Sequence, residues 1–259
     1  MKHITSRDNS LFKQLRKLAD SSRERRKAGQ ALLDGAHLVQ AYAQTFGPPE
    51  LLIVAEDDCT ADALQLLQDL PQAEKIMLPP AMFAELSPVA TPTGLLALIG
   101  TPQLPLPAAV TFALLVEDIQ DPGNLGSMLR SAAAAGVQAV YLSANCADAW
   151  SPKTLRGGQG AHFVLPIMAR ADLLEVATHF QGRVLAADLH GEPLYGCDLS
   201  GPTAFIIGNE GAGLSATLLA AASDRISIPM LGAVESLNAA AAAAVCLFER
   251  VRQVQGQPD

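Results

Sequence analysis

Apolar positions in the first hundred residues recur at spacings that predict short helices and strands. Asn9 precedes a helix in which Leu11, Leu15 and Leu18 form an apolar stripe, with basic residues mostly off that stripe. A second helix is expected to begin near Gly35. Further along, the pattern predicts strands at residues 51–55, 75–78 and 95–99, and helices at residues 60–70 and 81–86. This first part of the chain is therefore expected to be a small α/β unit.

The second half of the chain alternates apolar runs with helical segments over longer periods. Residues 111–116 form an apolar strand of the kind found inside a parallel sheet. Further strands are predicted at residues 137–142, 162–165, 183–187, 204–207 and 225–228. Helices are predicted at residues 125–135, 173–180, 215–222 and 237–254. Strands separated by helices indicate a mostly parallel sheet covered on both faces.

A proline-rich segment separates the two halves. Residues 101–109 read TPQLPLPAA, and three prolines in this segment cannot continue a helix or a central strand. We therefore place a domain boundary there, with one domain at residues 1–103 and the other at residues 104–259.

Charge is distributed unevenly along the chain. The net charge is −8, but residues 1–30 hold nine Lys or Arg against three Asp or Glu, a net +6 that leaves −14 on the remainder. A basic N-terminal segment on an acidic body is typical of an arm that binds nucleic-acid phosphates, although a solvated helix face explains the charge equally well. The candidate RNA-binding residues are Lys13, Arg16, Lys17, Arg23, Arg25, Arg26 and Lys27.

The composition disfavours several classes of protein. Apolar residues make up 49% of the chain and charged residues 17%, as in an ordinary soluble globular protein. No apolar stretch is long enough to span a bilayer, and residues 1–20 do not resemble a signal peptide, so we expect a cytoplasmic protein without a membrane partner. The four cysteines and five histidines show no metal-ligand spacing, and we predict no metal.

Three polar, glycine-bearing segments follow predicted strands of the second half. Ligands of open α/β sheets bind outside the carboxyl ends of the strands, so these three segments could build one site. In the first segment, Pro122 and Gly123 force a turn that places Asn124 at or near a helix N-cap, and Arg130 lies nearly two turns later. Taken alone, Asn124 could be a plain cap and Arg130 a surface cation.

The second and third segments have different chemistry. The second reads GNEGAG at residues 208–213, and its glycines let the backbone approach a ligand closely. Its spacing matches neither a dinucleotide fingerprint nor a P-loop, and Glu210 would suit a sulfonium, an amine or a ribose better than a phosphate. The third, residues 228–238, leads into an alanine-rich helix that Ser236 or Asn238 is expected to cap. The alanines would let another backbone approach, within the fold or across a subunit contact.

Taken together, the three segments resemble one family. They read DPGNLGSMLRSAAAAG, IIGNEGAGLS and ISIPMLGAVESLNAAAAAAV, and in this order and spacing they strongly resemble the signature motifs of the SpoU/TrmH branch of the SPOUT RNA methyltransferases. The first domain is similar to the substrate-binding domain of several members, which itself is similar to small RNA-binding ribosomal proteins. This weaker similarity rests on ITSRDNSLFKQLRKL, LLDGAHLVQ and LSPVATPTGLLALI.

The resemblance implies a specific architecture and cofactor. It implies an α/β catalytic domain with a mostly parallel sheet, whose C-terminal segment is threaded through a loop as a deep trefoil knot, after a small ribosomal-protein-like α/β RNA-binding domain. S-adenosylmethionine would bind bent inside the knot, largely through backbone groups, and two chains would form a homodimer through the catalytic domain. By position in the motifs, the cofactor-binding residues would be Gly208, Asn209, Gly213, Ile228, Met230, Leu237 and Asn238.

The resemblance also assigns catalytic roles. The matching positions are Asn124, Arg130, Glu210, Ser236 and Asn238. Family proposals make Arg130 the general base, but a guanidinium has no acceptor and keeps its proton, so we expect Arg130 to clamp the phosphate beside the target ribose. Asn124 is expected to orient Arg130 or the ribose, and Glu210 to hold Arg130 or face the cofactor. Gln159 stands where relatives typically have serine, which would alter substrate choice if that stretch contacts RNA.

The leading function is ribose 2′-O-methylation of ribosomal RNA with S-adenosylmethionine, because a separate RNA-binding domain suits a large folded substrate. A transfer RNA 2′-O-methyltransferase is an alternative. A non-catalytic RNA-binding or ribosome-assembly factor is another, and the five intact site positions argue against it. A different nucleotide-binding α/β enzyme is disfavoured because neither a dinucleotide fingerprint nor a P-loop is present.

Overall fold

Two β-sheets organise the chain in its computed structural model, which describes residues 1–87 and 92–255. The strands of the first sheet are β1 (Lys2–His3), β2 (Gln30–Asp34), β3 (Leu51–Ala55), β4 (Glu74–Leu78) and β5 (Leu95–Gly100). The strands of the second sheet are β6 (Phe112–Val116), β7 (Ala139–Leu142), β8 (Ile167–Ala169), β9 (Arg183–Pro193), β10 (Thr203–Ile207) and β11 (Asp224–Ser227).

Helices cover both sheets. They are α1 (Ser10–Asp20), α2 (Ser22–Ala28), α3 (Ala36–Phe46), α4 (Ala61–Asp69), α5 (Pro80–Ala84), α6 (Pro122–Ala134), α7 (Pro152–Gly158), α8 (Leu173–His179), α9 (Ala216–Ala221) and α10 (Ala239–Gln255). None of the helices in the described part of the chain is long and apolar enough to cross a membrane.

The first compact unit contains residues 1–102 and 150–163. Its strand order is β1-β4-β3-β5-β2, with β5 antiparallel to both of its neighbours and the other pairs parallel. One face of this sheet packs against α1 and α5, where Phe12, Leu15 and Leu18 are buried. The other face packs against α3, α4 and α7, and Leu155 of α7 is fully buried there. We expected every residue after 103 to lie in the other domain, but residues 150–163 belong to this unit.

The second unit contains residues 103–149 and those from 164 onward. Its strand order is β11-β9-β10-β6-β7-β8, and every neighbouring pair is parallel. The central strands β6 and β10 are buried along their whole length, as the apolar runs predicted. Helix α10 packs against α6 and β10. This arrangement confirms the α/β fold with mostly parallel strands, and the knot stays a prediction.

The sequence-based element assignments are mostly confirmed, with a few differences. The strand expected at residues 162–165 is wrong: Ala161–Phe163 form a 3₁₀ turn, which directly follows the left-handed backbone conformations of Gln159 and Gly160. The strand follows later, as β8. Helices α2 and α7 and strand β2 were not predicted, and β9 extends well past residue 187. Residues 88–91 of the stretch LSPVATPTGLLALI lie outside the described residues.

Candidate active site

The first motif begins α6 directly after β6. Asp121 is the N-cap of this helix, and its side-chain oxygen accepts the backbone N–H of Asn124 at 2.8 Å. Pro122 occupies the first helical position, where its missing N–H costs no hydrogen bond. We expected Asn124 at or near the cap, and it lies three residues inside it. Because Asp121 supplies the cap, the Asn124 side chain is available for other partners.

Side chains from the three motifs form one hydrogen-bonded chain. Asn124 Nδ2 donates to Glu210 Oε1 at 2.7 Å, and Asn238 Nδ2 donates to Asn124 Oδ1 at 3.0 Å. Asn238 Oδ1 accepts the backbone N–H groups of Ala240 and Ala241 at 2.9 and 3.4 Å, so Asn238 caps α10. The fold therefore joins one predicted site residue from each motif, and it fixes the conformation of all three amide and carboxylate groups.

Arg130 and Ser236 do not join this hydrogen-bonded chain. Arg130 is exposed on α6, and its guanidinium has no hydrogen-bonding or charged partner among residues 1–87 and 92–255. The expected contacts of Asn124 and Glu210 with Arg130 are therefore not formed, since these two residues bond each other instead. Ser236 is exposed and does not cap α10. The Arg130 donors remain available for an external anion.

The glycine-rich loop after β10 is closed by contacts that exclude side chains. Asn209 and Gly213 exchange both backbone N–H···O bonds, at 3.1 and 2.9 Å. A Cβ on Gly208 would lie 2.5 Å from the Gly213 oxygen, so no side chain fits at that position. The Asn209 side-chain oxygen also accepts the N–H groups of Gly211 and Ala212. These bonds give the loop a defined shape before any ligand binds.

Two residues without a role in the sequence analysis tie this loop to β6. Glu117 Oε2 accepts the backbone N–H of Ser215 at 2.7 Å, and the Asp118 carbonyl accepts Asn209 Nδ2 at 2.8 Å. Asp118 is left-handed, with φ of +55°, and its carboxylate accepts the Ser143 hydroxyl. Their position directly after a buried strand was the signal that could have identified them. They hold the ends of the glycine-rich loop against the start of the first motif.

A cavity of about 550 Å³ adjoins the glycine-rich loop. This volume lies within the roughly 300–1,000 Å³ of small-molecule sites. Asn238 does not line the cavity, whereas the other six expected cofactor-binding residues do: Gly208, Asn209, Gly213, Ile228, Met230 and Leu237. The acidic residues Asp188 and Glu210 line it together with the apolar Leu214 and Leu219. Carboxylates beside apolar side chains fit a ligand with a cationic sulfonium and an uncharged adenine ring. In the described part of the chain, no three His, Cys, Asp or Glu side chains converge as a metal site would.

Arg25 has a structural role in the first unit. It is 5% exposed, and its guanidinium donates to the backbone oxygens of Leu18 and Ala19 at 2.6 and 2.9 Å. These bonds satisfy carbonyl groups at the C-terminal end of α1 that have no partner within the helix. We expected Arg25 to bind RNA, but its side chain is buried and its Nη1 group already donates to two backbone carbonyls, so it is not among the exposed cations.

The remaining basic residues of α1 and α2 are exposed. Lys13 pairs with Asp8 at 2.8 Å, and Arg16 lies 3.5 Å from Glu85. Four others are exposed and have no partner among the residues that the structure describes, namely Lys17, Arg23, Arg26 and Lys27. These four, which we call the free cations, are the ones whose charge is available to a phosphate.

Comparison with known proteins identifies the family. A model of the SpoU rRNA methylase family matches residues 111–248, which include all three motifs and more than half of the chain. The chain belongs to the SpoU rRNA methylase family. A second model, the MRM3-like substrate-binding domain, matches residues 9–97 of this SpoU protein. The resemblance seen in the motifs is thus confirmed over both parts of the chain.

Relatives of this SpoU protein match it over nearly its full length. The 23S rRNA (guanosine(2553)-2′-O)-methyltransferase RlmP of Bacillus subtilis is 34% identical over 255 residues, covering 96% of this chain and 98% of RlmP. A 23S rRNA (uridine(2479)-2′-O)-methyltransferase of Streptomyces viridochromogenes is 31% identical, covering 97% and 92%. The crystal structure of the SpoU methyltransferase AviRb from that organism, in complex with AdoMet, superposes with a TM-score of 0.85 at 30% identity, covering 96% and 100%.

Proposed function

We propose that this SpoU family member transfers a methyl group from S-adenosylmethionine to a ribose 2′-hydroxyl of ribosomal RNA. The observation that carries the proposal is the hydrogen-bonded chain of Glu210, Asn124 and Asn238, which adjoins the cavity lined by Gly208 and Ile228. Two relatives over the full length are named as 23S rRNA 2′-O-methyltransferases, and a solved relative carries AdoMet. This agreement of site and family supports the reaction over a purely RNA-binding role.

The chain's own residues position the two reactants. When bound, S-adenosylmethionine supplies the methyl group on its sulfonium, and the glycine-rich loop with Ile228, Met230 and Leu237 would hold it. Glu210 places a negative charge in the cavity wall, which favours a positively charged donor. Asn124 keeps the Glu210 carboxylate in one orientation through the 2.7 Å bond between them. Holding donor and acceptor in a fixed geometry is the main source of acceleration in such a transfer.

Arg130 is proposed to bind the RNA phosphate beside the target ribose. Its guanidinium is exposed and unpartnered among the described residues, and it offers a planar pair of donors that matches a phosphate. Because it has no acceptor, it positions the substrate and does not remove a proton. Arg130→Lys keeps the charge but loses the paired donors, so turnover should fall; full turnover at neutral pH would contradict the clamp.

The remaining expectations belong to the same proposal. The first unit, which matches a substrate-binding domain, is proposed to bind RNA through the free cations. The second unit carries the catalytic site and, by family resemblance, the trefoil knot. A homodimer through α10 is supported by the exposed Phe248, at 46%, and Val254, at 42%, on that helix. Its place is proposed to be the cytoplasm, where it would meet ribosomal RNA.

Incubation with radiolabelled S-adenosylmethionine and total RNA from a strain lacking the gene tests the reaction. A single labelled alkali-resistant dinucleotide in ribosomal RNA is the expected product, because a 2′-O-methyl group blocks alkaline cleavage at that position. The Asn124→Ala protein serves as the matched control. Label confined to transfer RNA would show that transfer RNA, and not ribosomal RNA, is the substrate. Label in alkali-sensitive nucleotides would mean that the ribose is not the acceptor.

A further inference from the structure

Strand β9 is interrupted by an excursion next to the cavity. Arg225 of β11 is in register with Ala186, but the next residue, Ile226, is in register with Glu192. Residues 187–191 of β9 are therefore skipped in the pairing, and they form a short protrusion that the sequence analysis did not predict. Ala187, Asp188, Leu189 and His190 of this protrusion line the cavity.

The excursion is held in a defined shape. Asp188 Oδ1 accepts the backbone N–H of His190 at 3.2 Å, and the Ser227 hydroxyl donates to the Gly191 carbonyl at 2.8 Å. A Cβ on Gly191 would lie 2.4 Å from the backbone nitrogen of Ile226, so only glycine allows the chain to rejoin β11. Leu189 is 61% exposed, so the excursion does not bury its apolar side chain.

The excursion brings a pair of opposite charges to the cavity wall. Arg225 Nη1 lies 3.5 Å from Asp188 Oδ2, and both residues line the cavity. The Asp188 side chain is 18% exposed and that of Arg225 is 50% exposed. In the sheet, β9 and β11 lie on one side of β10 and β6 lies on the other. The Asp188–Arg225 pair therefore lies on one side of β10, and Asn124, which follows β6 and bonds Glu210, belongs to the other side. The cavity thus has two polar ends with different chemistry.

We propose that Asp188 and Arg225 bind the amino-acid end of S-adenosylmethionine. The inference rests on the proposed function. That end carries an ammonium and a carboxylate on one carbon atom, and an adjacent carboxylate and guanidinium match this arrangement of charges. Arg225 has further N–H donors beyond its contact with Asp188, and each Asp188 oxygen can accept another hydrogen bond. The uncharged adenosine end would lie along the apolar wall that includes Leu214 and Leu219.

Calorimetry on the full-length protein with two ligands tests the proposal. S-adenosylmethionine has the amino-acid end, and 5′-methylthioadenosine lacks it. Asp188→Asn keeps the acceptor for the His190 N–H but loses the charge, and Arg225→Met removes the guanidinium. Each change should weaken S-adenosylmethionine binding about 10-fold or more, while 5′-methylthioadenosine binding should stay within about twofold. No activity measurement is needed for this comparison.

A matched control exists on the same two strands. Arg183 of β9 pairs with Asp224 of β11 at 2.8 Å but does not line the cavity. Arg183→Gln should therefore leave the affinity for both ligands unchanged. Decarboxylated S-adenosylmethionine extends the test, because Arg225→Met should bind it as well as the wild-type protein does.

The possible results separate the hypotheses. Equal losses for S-adenosylmethionine and 5′-methylthioadenosine would mean that Asp188 and Arg225 only shape the cavity or contact the nucleoside, and would overturn the inference. Unchanged affinity in both variants would do the same. If the wild-type protein bound neither ligand, the proposed cofactor itself would be wrong, and the inference would fail together with the proposed function.

Discussion

Arg25 and Arg26 are neighbours on α2 with opposite surroundings. The Arg25 guanidinium is buried against the carbonyls of α1, whereas Arg26 is exposed. Their sequence context is nearly the same, so a charge count treats them alike. Only Arg26 is exposed to an external phosphate, and this difference leads to separable effects on stability and on RNA binding.

Arg25→Met should lower the free energy of unfolding of the first unit by about 2 kcal/mol, because one buried and one partly buried carbonyl oxygen lose a charged donor. Arg26→Met should change it by less than about 0.5 kcal/mol. Trp150 is the single tryptophan of the chain and lies in the first unit, so its fluorescence during a urea titration measures both values. Equal values would contradict the structural role of Arg25.

Asn124→Asp should place two carboxylates where the 2.7 Å bond now joins Asn124 to Glu210. Like charges at that distance repel, and we expect methyl transfer at pH 7.5 to fall about 100-fold through displacement of Glu210. The repulsion raises the pKa of one carboxyl, so lowering the pH should restore a shared proton and part of the activity. Asn124→Ala, which adds no charge, should lose activity without recovering it in acid. Identical pH profiles for the two variants would exclude this explanation.

At the scale of elements, the start of α10 serves both the helix and the site. Asn238 accepts two backbone N–H groups of the helix and donates to Asn124. From the sequence, either Ser236 or Asn238 could cap α10, since both residue types are good caps. The start of the helix decides between them, because α10 begins at Ala239, directly after Asn238, and the Asn238 side chain there also reaches Asn124.

Substitution of Asn238 separates these two tasks. Asn238→Ser keeps a cap acceptor but is too short for the bond to Asn124, whereas Asn238→Ala loses both. We expect Asn238→Ala to cost about 1 kcal/mol in the second unit and Asn238→Ser only a few tenths. Both should slow methyl transfer to a similar extent, measured beside calorimetric unfolding. Normal turnover with Asn238→Ser would show that the cap alone matters.

The free cations of α1 and α2 predict how RNA affinity depends on salt. Replacing Lys17, Arg23, Arg26 or Lys27 by Gln should reduce the magnitude of the slope of log K against log salt concentration by about 0.7–0.9 per residue. Lys13→Gln should change the slope less, because Lys13 is already paired with Asp8. Filter binding to a ribosomal RNA fragment at several salt concentrations measures these slopes. An unchanged slope in all four variants would mean that RNA binds to a surface other than the one formed by the free cations.

At the scale of the whole molecule, the proposed dimer depends on the outer face of α10. Ala241 and Phe248 are exposed seven residues apart on that helix, so they share one face. Phe248→Glu should convert a dimer into a monomer in sedimentation equilibrium, because a buried charge would be unpaired. Leu64→Glu, at a position 50% exposed on α4, is the matched control and should leave the mass unchanged. A monomeric wild-type protein would refute the dimer.

The division of the chain into units also belongs to this scale. The chain passes from the first unit to the second after residue 102, returns at residue 150, and leaves again after residue 163. The first passage lies beside the prolines near residue 103. The return is different, because residues 150–163 come after β7 of the second unit in sequence, yet Leu155 and Phe163 are buried against the first sheet. Local spacing carries no information about which distant core receives an apolar side chain.

By itself, the sequence determined the helices and strands with strong periodicity, the mostly parallel second sheet, the family, and the three motifs that meet at the site. These features depend on short-range spacing and on residue types that are rarely interchangeable. Only the tertiary structure decided that Asp121 caps α6, that Arg25 is buried, and that Asp188 and Arg225 share a cavity wall. Each of these depends on which groups lie within hydrogen-bonding or ion-pairing distance after folding, and that distance is set by the packing of elements far apart in the chain.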